Sequence, residues 1–401
     1  MITDINTALK KAVAGAFMAL GCAFAYAHQP YLERACATLD SIYSHYSLAG
    51  EVLLAENFPF DSAYKAGYLG DGAATPDEAP RFAYLWPFSG TLSAWSAVLE
   101  ASSDGGALET IEQRVVPGID AYYDTRRTPA AYGSYISAAP LSDRFYDDNI
   151  WVGIDFADLY KATGKKKFLD KAAEVWKFIE SGTDSVLGGG VYWCEQKKHS
   201  KNACSNAPAA VFAMKLYEAT ETDAYLRAAE SLYRWTRSNL RDDADGLYFD
   251  NININGRTDR TKFAYNSGQM LQAACMLYKA TGEKSYLEDA HEIAENCRSY
   301  FFRNISGDAD SAPDMLARGN VWFSAVMLRG FCELYELDGN DRYLNAFGAC
   351  LDYAWINGRD KDSGLFGSDL SAVPGNDEKK WLLTQAAVAE MYARLAKYIK
   401  L

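Results

Sequence analysis

Leu159-Tyr-Lys-Ala-Thr-Gly-Lys-Lys-Lys-Phe-Leu-Asp-Lys-Ala172 recurs three times along the chain. It returns as Leu216-Tyr-Glu-Ala-Thr-Glu-Thr-Asp-Ala-Tyr-Leu-Arg-Ala-Ala229, as Leu277-Tyr-Lys-Ala-Thr-Gly-Glu-Lys-Ser-Tyr-Leu-Glu-Asp-Ala290 and as Leu334-Tyr-Glu-Leu-Asp-Gly-Asn-Asp-Arg-Tyr-Leu-Asn-Ala-Phe347. A degenerate copy lies at Val98-Leu-Glu-Ala-Ser-Ser-Asp-Gly-Gly105. The opening leucines stand 57, 61 and 57 residues apart. Each copy reads as the end of one helix, a tight turn and the start of the next. Leu-Tyr closes an apolar helix, and Gly or a small polar residue breaks it. Tyr/Phe-Leu-x-x-Ala then opens a second helix with apolar residues at helical spacing. A repeated hairpin of about sixty residues must bury its faces against its neighbours.

Followed outward, the pattern predicts twelve helices in six pairs. They lie near residues 31–48, 87–101, 109–123, 147–162, 166–180, 206–219, 223–239, 263–281, 284–301, 318–337, 340–355 and 380–399. The even-numbered helices are the less charged, as an inner ring would be. The odd-numbered ones carry Lys, Glu and Arg on an outer face. The expected fold is all-α: an (α/α)6 barrel of six helical hairpins, with an open superhelix of pairs as the alternative. Short turns then share one face. The long connections, 51–86, 124–146, 181–205, 240–262, 302–317 and 356–379, share the other and lead into the inner helices. Leu187-Gly-Gly-Gly-Val-Tyr-Trp193, Gly246-Leu-Tyr-Phe-Asp250 and Gly364-Leu-Phe-Gly-Ser-Asp369 read as hairpins within them. Long loops of this kind are where function concentrates.

The chain has 401 residues, 49% of them hydrophobic, enough for one large barrel or two ordinary domains. Aromatic residues reach 14%, with 27 Tyr and 9 Trp, which suits either a large core or stacking on sugar faces. A net charge of −13 argues against nucleic acid and anionic membrane surfaces, both of which call for basic patches. A neutral polymer is compatible with it. The sequence holds no CxxC, HExxH or Walker-type glycine loop, so neither metal nor cofactor is expected.

Asp147-Asp148 opens the fourth helix, within Arg144-Phe-Tyr-Asp-Asp-Asn-Ile-Trp-Val-Gly153. One aspartate there has a plain explanation in capping N–H groups and complementing the helix dipole. A second, flanked by aromatics rather than lysines, adds repulsion and calls for another reason. The functional reading is a carboxylate pair for acid/base or nucleophilic work on a sugar. The other inner helices open with Trp86-Pro-Phe-Ser-Gly90, Cys204-Ser-Asn-Ala-Pro208, Phe263-Ala-Tyr-Asn-Ser-Gly-Gln269, Arg318-Gly-Asn-Val-Trp322 and Lys380-Trp-Leu-Leu-Thr-Gln385. Amides, rings and an acid pair on one cleft are the composition of a carbohydrate site. Taken singly, Ser205, Asn206, Ser267 and Asn320 are simpler as caps, and Trp322 and Trp381 as core. Recurrence at six corresponding places is the ground for reading a site. The binding candidates are Asn149, Trp151, Asn206, Tyr265, Asn266 and Gln269, with Trp86, Trp193, Glu195 and Trp381 as further subsite residues. None of His28, His45, His199 and His291 opens an inner helix, which speaks against a His-dependent sugar isomerase.

Tyr146-Asp-Asp-Asn149, Trp193-Cys-Glu195, Ala203-Cys-Ser-Asn-Ala-Pro208 and Tyr265-Asn-Ser-Gly-Gln269, with Tyr84-Leu-Trp-Pro87 upstream, resemble glycoside hydrolase family 76. The resemblance runs from about residue 31 to 399. It implies an (α/α)6 barrel and a retaining endo-α-1,6-mannanase without metal, acting on α-mannan polysaccharide or oligosaccharide. It implies Asp147 as nucleophile and Asp148 as general acid/base. A fungal cell-wall branch of the family implies transglycosylation as the alternative reaction. A helical-repeat sugar-binding protein would keep the rings without needing adjacent acids, and a structural solenoid would need neither. A lyase or unsaturated-uronide hydrolase acts on acidic sugars and fits the negative charge poorly. Retention needs two carboxyls about 5 Å apart, which adjacent residues can offer if one is still in loop conformation. The helix N-terminus should favour an ionised Asp147, whose charge keeps Asp148 protonated.

Residues 1–27 read either as an export signal or as an ordinary first helix. Lys10-Lys11, the apolar run from Ala12 to Ala25 and the Ala25-Tyr26-Ala27 site favour a signal; Asp4 speaks against it. The run is too short for a membrane span. A signal leaves 28–401 as a single catalytic domain working in the periplasm, on the surface or in the medium. The other reading leaves the protein in the cytoplasm. Cys22 would go with the signal, while Cys36, Cys275, Cys297, Cys332 and Cys350 lie in apolar helical runs as buried thiols. Cys194 and Cys204 either stay free or close a disulfide across 195–203. Net charge and the lack of an apolar stripe leave a monomer as the expectation.

Overall fold

In the computed structural model the described residues are 30–70, 79–102, 105–305, 312–316 and 319–399. The expected export segment 1–27, with Cys22, and His28 and Arg318 lie outside them.

Twelve helices are found among the described residues, numbered here in chain order. α1 is Pro30–Tyr46, α2 Leu85–Ser102, α4 Tyr146–Thr163, α5 Lys166–Ser181, α6 Ala203–Thr220 and α7 Asp223–Leu240. α8 is Ala264–Thr281, α9 Lys284–Phe301, α10 Val321–Asp338, α11 Arg342–Asn357 and α12 Leu382–Tyr398. α3 runs in three joined pieces: Gly105–Thr110, a π-helical turn Ile111–Val115, and Val116–Asp120. Pro117 lacks an N–H, and its ring crowds the turn before it. The wider π turn sits where that crowding falls.

The even-numbered helices form a closed inner ring. Each packs on the next, and α12 returns to α2, which excludes the open superhelix. α4 is buried along almost its whole length, from Tyr146 through Leu159. The outer α5 buries one stripe, Phe168, Ala172, Val175, Trp176 and Ile179, and leaves its lysines in solvent. α8 and α10 approach closely because Gly268 and Gly330 face each other; a Cβ at either would overlap the other helix's backbone. The short turns end α4, α8 and α10 with Gly164, Gly282 and Gly339 in the left-handed region, at φ 65°, 71° and 68°. Glu221 holds the same conformation at φ 54° after α6. One outer partner departs from chain order. α1 packs on α12, so the sixth hairpin is made from helices at opposite ends of the described chain.

The long connections carry four small antiparallel sheets. β1 (Asn57–Phe58) pairs with β9 (Lys380–Trp381) across that same seam. β2 (Tyr123–Asp124) pairs with β3 (Ala131–Tyr132). β4 (Ser200–Asn202), β5 (Phe249–Asn253) and β6 (Thr258–Lys262) form one sheet. β7 (Phe302–Asn304) pairs with β8 (Asp314–Leu316). The hairpin expected at 187–193 is instead a 3-10 turn, Val186–Gly188, followed by a single bridge from Thr183 to Val191. Among the described residues no helix is long and apolar enough to cross a membrane.

Candidate active site

Five inner helices open in the same way. The residue before the first turn is extended: Phe145, Asn202, Phe263, Asn320 and Trp381. Four residues later, polar side chains turn back onto the preceding loop. Asn149 accepts from Tyr132 N–H at 2.8 Å and donates to the carbonyls of Tyr132 and Phe145 at 2.9 and 2.8 Å. Asn206 does the same with Val191 and Asn202, and Gln385 with Phe366 and Trp381. Ser267 accepts from Tyr248 N–H at 3.1 Å. Asn149 and Asn206 were expected to bind substrate. Both are fully buried, and their amides are spent on backbone that would otherwise lack partners. They hold loops to helices and do not reach the cleft. Asn320 is a cap, accepting from Trp322 N–H at 2.8 Å.

Two positions after the first four of these extended residues come Asp147, Cys204, Tyr265 and Trp322, and after the fifth comes Leu383. Asp147, Tyr265 and Trp322 line a pocket of about 150 Å3 with Asp148, Trp151, Trp86 and Trp193. Tyr68, Leu69, Phe145 and Phe323 complete it. Six expected site residues therefore meet in one place: Asp147, Asp148, Trp151, Tyr265, Trp86 and Trp193. Among the described residues no Lys, Arg or His lines that pocket.

Asp147 is held through one oxygen. Its Oδ2 accepts from Trp193 Nε1 at 3.0 Å and from the Cys204 thiol at 3.3 Å. Its Oδ1 is buried without a partner. Burial pushes the Asp147 carboxyl up to about 6, against the pull of Cys204, Trp193 and the backbone N–H groups of the helix start. The helix terminus was expected to favour ionisation outright; burial outweighs it. Asp148 is pushed well above the usual carboxylate range, first by burial and then by the charge of Asp147. Two neighbouring acids are thus driven apart, and the one with the lower pKa is the one with donors on it. Trp86 Nε1 and Trp322 Nε1 are also buried without partners beside the pocket. A buried N–H left unpaired costs about 1–3 kcal/mol, so a ligand oxygen is favoured there.

The remaining candidates stand apart from the pocket wall. Glu195 forms a forked ion pair with the buried Arg144, with Nε to Oε2 at 2.7 Å, and does not line the pocket of the aspartates. Its carboxyl is needed by that guanidinium, which corrects its reading as a subsite residue. Gln269 is buried and donates to Gln272 Oε1 at 2.8 Å. Asn266 is buried beside Asp250. Trp381 stands one layer back, its ring 5.3 Å from that of Trp86, and donates from Nε1 to Glu56 Oε1 at 3.0 Å. Cys194 and Cys204 form no disulfide, nor does any other cysteine of the described residues. Sequence reasoning missed Tyr68 and Glu56, which sit in a connection without periodicity. It weighed Trp322 as core or cleft, and the ring is both, 1% exposed yet lining the pocket; it weighed Cys204 as free or in a disulfide and did not foresee its contact with Asp147. The available signal was position: both stand where Asp147 stands in their own repeats.

The family profile described as glycosyl hydrolase family 76 matches residues 61–315. A family 76 glycoside hydrolase from a bovine Bacteroides thetaiotaomicron strain superposes with a TM-score of 0.80 at 35% identity, covering 91% of this chain and 77% of that one. A family 76 mannosidase of Bacteroides thetaiotaomicron VPI-5482 gives 0.81 at 33%, covering 92% and 98%. An inactive variant of a Salegentibacter α-1,6-mannanase, with two neighbouring aspartates changed to asparagine and α-1,6-mannotriose bound, gives 0.72 at 24%, covering 91% and 99%. A search of curated proteins finds no match. With the profile spanning more than half of its length, and with relatives above 30% identity over nine-tenths of it, the chain belongs to glycosyl hydrolase family 76.

Proposed function

We propose that this glycoside hydrolase is a retaining endo-α-1,6-mannanase in which Asp147 is the nucleophile and Asp148 the general acid/base. The observation that carries the reading is the asymmetry of Asp147. Two donors occupy Oδ2, while Oδ1 is buried and free, beside an acid that keeps its proton. Asp148 donates that proton to the glycosidic oxygen as the bond to the anomeric carbon breaks. Oδ1 of Asp147 attacks the same carbon from the opposite face and forms a glycosyl ester. The aglycone leaves as an alcohol. With Asp147 esterified, its charge no longer opposes ionisation of Asp148, which takes a proton from water. The hydroxide so formed displaces Asp147, and two inversions leave the configuration unchanged. The rings of Trp86, Trp151, Trp322 and Tyr265 wall the site with apolar surface for the sugar, and the unpartnered indole N–H groups supply donors for hydroxyls.

The α-1,6 linkage draws support from the Salegentibacter relative and its bound mannotriose. The substrate is a polymer, so we place the enzyme outside the cytoplasm, in line with the reading of residues 1–27 as an export signal, with 28–401 as one catalytic domain acting as a monomer. The test is unbranched α-1,6-mannan followed by the anomeric proton signals of the first products. Short oligosaccharides released first as the α-anomer support the reading; β-anomers first, or no products, overturn it. Transfer to an added acceptor sugar in preference to water would make the protein a transglycosidase with the same two acids.

A further inference from the structure

Glu56 lies in the connection between α1 and α2, is 3% exposed, and gathers four donors on one carboxylate. Tyr64 and Tyr68 donate their hydroxyls to Oε1, Tyr68 at 2.9 Å. Trp381 Nε1 reaches the same oxygen at 3.0 Å, and the backbone N–H of Tyr84 reaches Oε2 at 2.9 Å. These donors come from three separate stretches: residues 64–68, the lead into α2, and the start of α12. The backbone joins them too. Leu382 N–H donates to the Glu56 carbonyl at 2.9 Å, and Asn57 pairs with Trp381 in the β1–β9 sheet.

Three of the groups Glu56 holds are rings, Tyr64, Tyr68 and Trp381, and the last two set a fourth. Tyr68 and Trp381 meet Trp86 edge-on, at 5.1 and 5.3 Å between centroids, and each other at 5.5 Å. Trp86 and Tyr68 line the pocket of the aspartates, and Trp86 Nε1 is the buried N–H without a partner. Because Tyr68 and Trp381 spend their polar atoms on Glu56, they present only ring surface to Trp86. The Trp86 N–H is thereby the polar atom this wall keeps for a ligand.

We propose that Glu56 is a positioning residue for a mannopyranose subsite: it fixes Tyr68 and Trp381 so that Trp86 keeps its Nε1–H aimed at one hydroxyl oxygen of the sugar. The proposal rests on the reading of the protein as an α-1,6-mannanase. Glu56 touches neither the sugar nor the acids, so its loss acts on binding of the sugar chain and leaves the chemistry of Asp147 and Asp148 in place.

Three variants test this: Glu56→Gln, Tyr64→Phe and Trp86→Phe. Tyr64 does not line the pocket, and its change removes one donor from Glu56 without reshaping the carboxylate, so it stands in if Glu56→Gln does not fold. Losing one or two such bonds is worth about tenfold in affinity. Glu56→Gln should raise KM for unbranched α-1,6-mannan roughly tenfold with kcat within about twofold, and Tyr64→Phe should raise it about threefold. Combining Glu56→Gln with Trp86→Phe should add little to Trp86→Phe alone, since both act through the same indole. An unchanged KM with a lowered melting temperature, or full additivity with Trp86→Phe, overturns the proposal and leaves Glu56 a structural staple. If the wild-type protein turns over no α-1,6-mannan, the reading of its reaction fails, and Glu56 is judged without substrate. The near-ultraviolet circular dichroism of Trp86 and Trp381 should then change in Glu56→Gln and Tyr64→Phe; unchanged bands overturn the positioning role.

Discussion

Asp148 and Asp158 stand on the same inner helix, both buried, and their carboxyls move in opposite directions. Asp148 faces the loop end of the barrel, where burial and the charge of Asp147 push it up. Asp158 faces the far end. Burial resists its ionisation too, but the ion pair with Lys215, helped by Arg394 and Arg329, pulls it down. Glu390, nearby on α12, is shared by Arg329 and Arg394 and drawn down to about 2 despite its burial. The far end also holds the larger cavity, about 460 Å3 against about 150 Å3 around the aspartates. Its lining includes Asp158, Lys215, Arg329, Glu336, Arg394 and Lys397, and acid there is matched by base. Neither size nor burial separates the two ends. What separates them is whether buried acid is left without a cation. Asp158, matched by cations, is held ionised, whereas Asp148, with none, is held protonated.

Four changes would break or sharpen that contrast. The largest effect should come from Asp147→Asn or Asp148→Asn, each lowering kcat by roughly 10⁴-fold without lowering the melting temperature. If either keeps near-normal turnover, its assignment is wrong. At the far end, Lys215→Met should leave kcat nearly unchanged but destabilise the fold by about 1–3 kcal/mol, because it removes the cation bonded to the buried Asp158 and leaves only Arg394 and Arg329 to balance its charge. Denaturant unfolding monitored alongside activity separates the two outcomes. A third change joins activity to stability. Folding raises Asp147 from the ordinary 3.8 to about 6. Below pH 3.8 both folded and unfolded chains keep the proton, and the residue is neutral to stability. Between those values only the unfolded chain ionises, so stability falls as pH rises. Above 6 the loss is complete, about 3 kcal/mol at most. Asp147→Asn should therefore be more stable than the wild type at pH 7 and equal to it at pH 3, measured by chemical denaturation. The same ionisation sets the acid limb of kcat/KM near pH 6, while the high pKa of Asp148 sets the alkaline limb. The smallest effect lies in the far-end turns. Glu221 holds a left-handed conformation that Gly occupies in three sister turns, so Glu221→Gly should raise stability by about 1 kcal/mol.

Much of this architecture is legible in the repeat. The Leu-Tyr-x-Ala-Thr-Gly turn marks a helix end and a helix start together, and its spacing counts the hairpins. Asp147 and Asp148 stand out because two acids among aromatics have no structural use. The site was misread where recurrence was taken as a sign of function. Asn149, Asn206, Ser267 and Gln385 occupy equivalent places in their repeats, and three of them bind backbone through the same pattern of hydrogen bonds. A side chain that returns with the period of the scaffold serves the scaffold. Chemistry sits where the repeat is broken, as at Asp147 against Cys204, Tyr265 and Trp322. Glu56 and Tyr68 could not be read, because no local pattern announces a carboxylate whose indole partner lies 325 residues away.

The seam between α1 and α12 sets a schedule for synthesis. α1, with Leu32, Leu39 and Ile42 on its buried face, leaves the ribosome well before α12, the helix it packs on. At about 5–20 residues per second, that face waits for tens of seconds. The intervening hairpins can stack as they emerge, but the circle has no closing partner until Leu382–Tyr398 is released. The nascent protein is therefore an open arc with α1 bare, and chaperone binding should concentrate on that helix until α12 emerges.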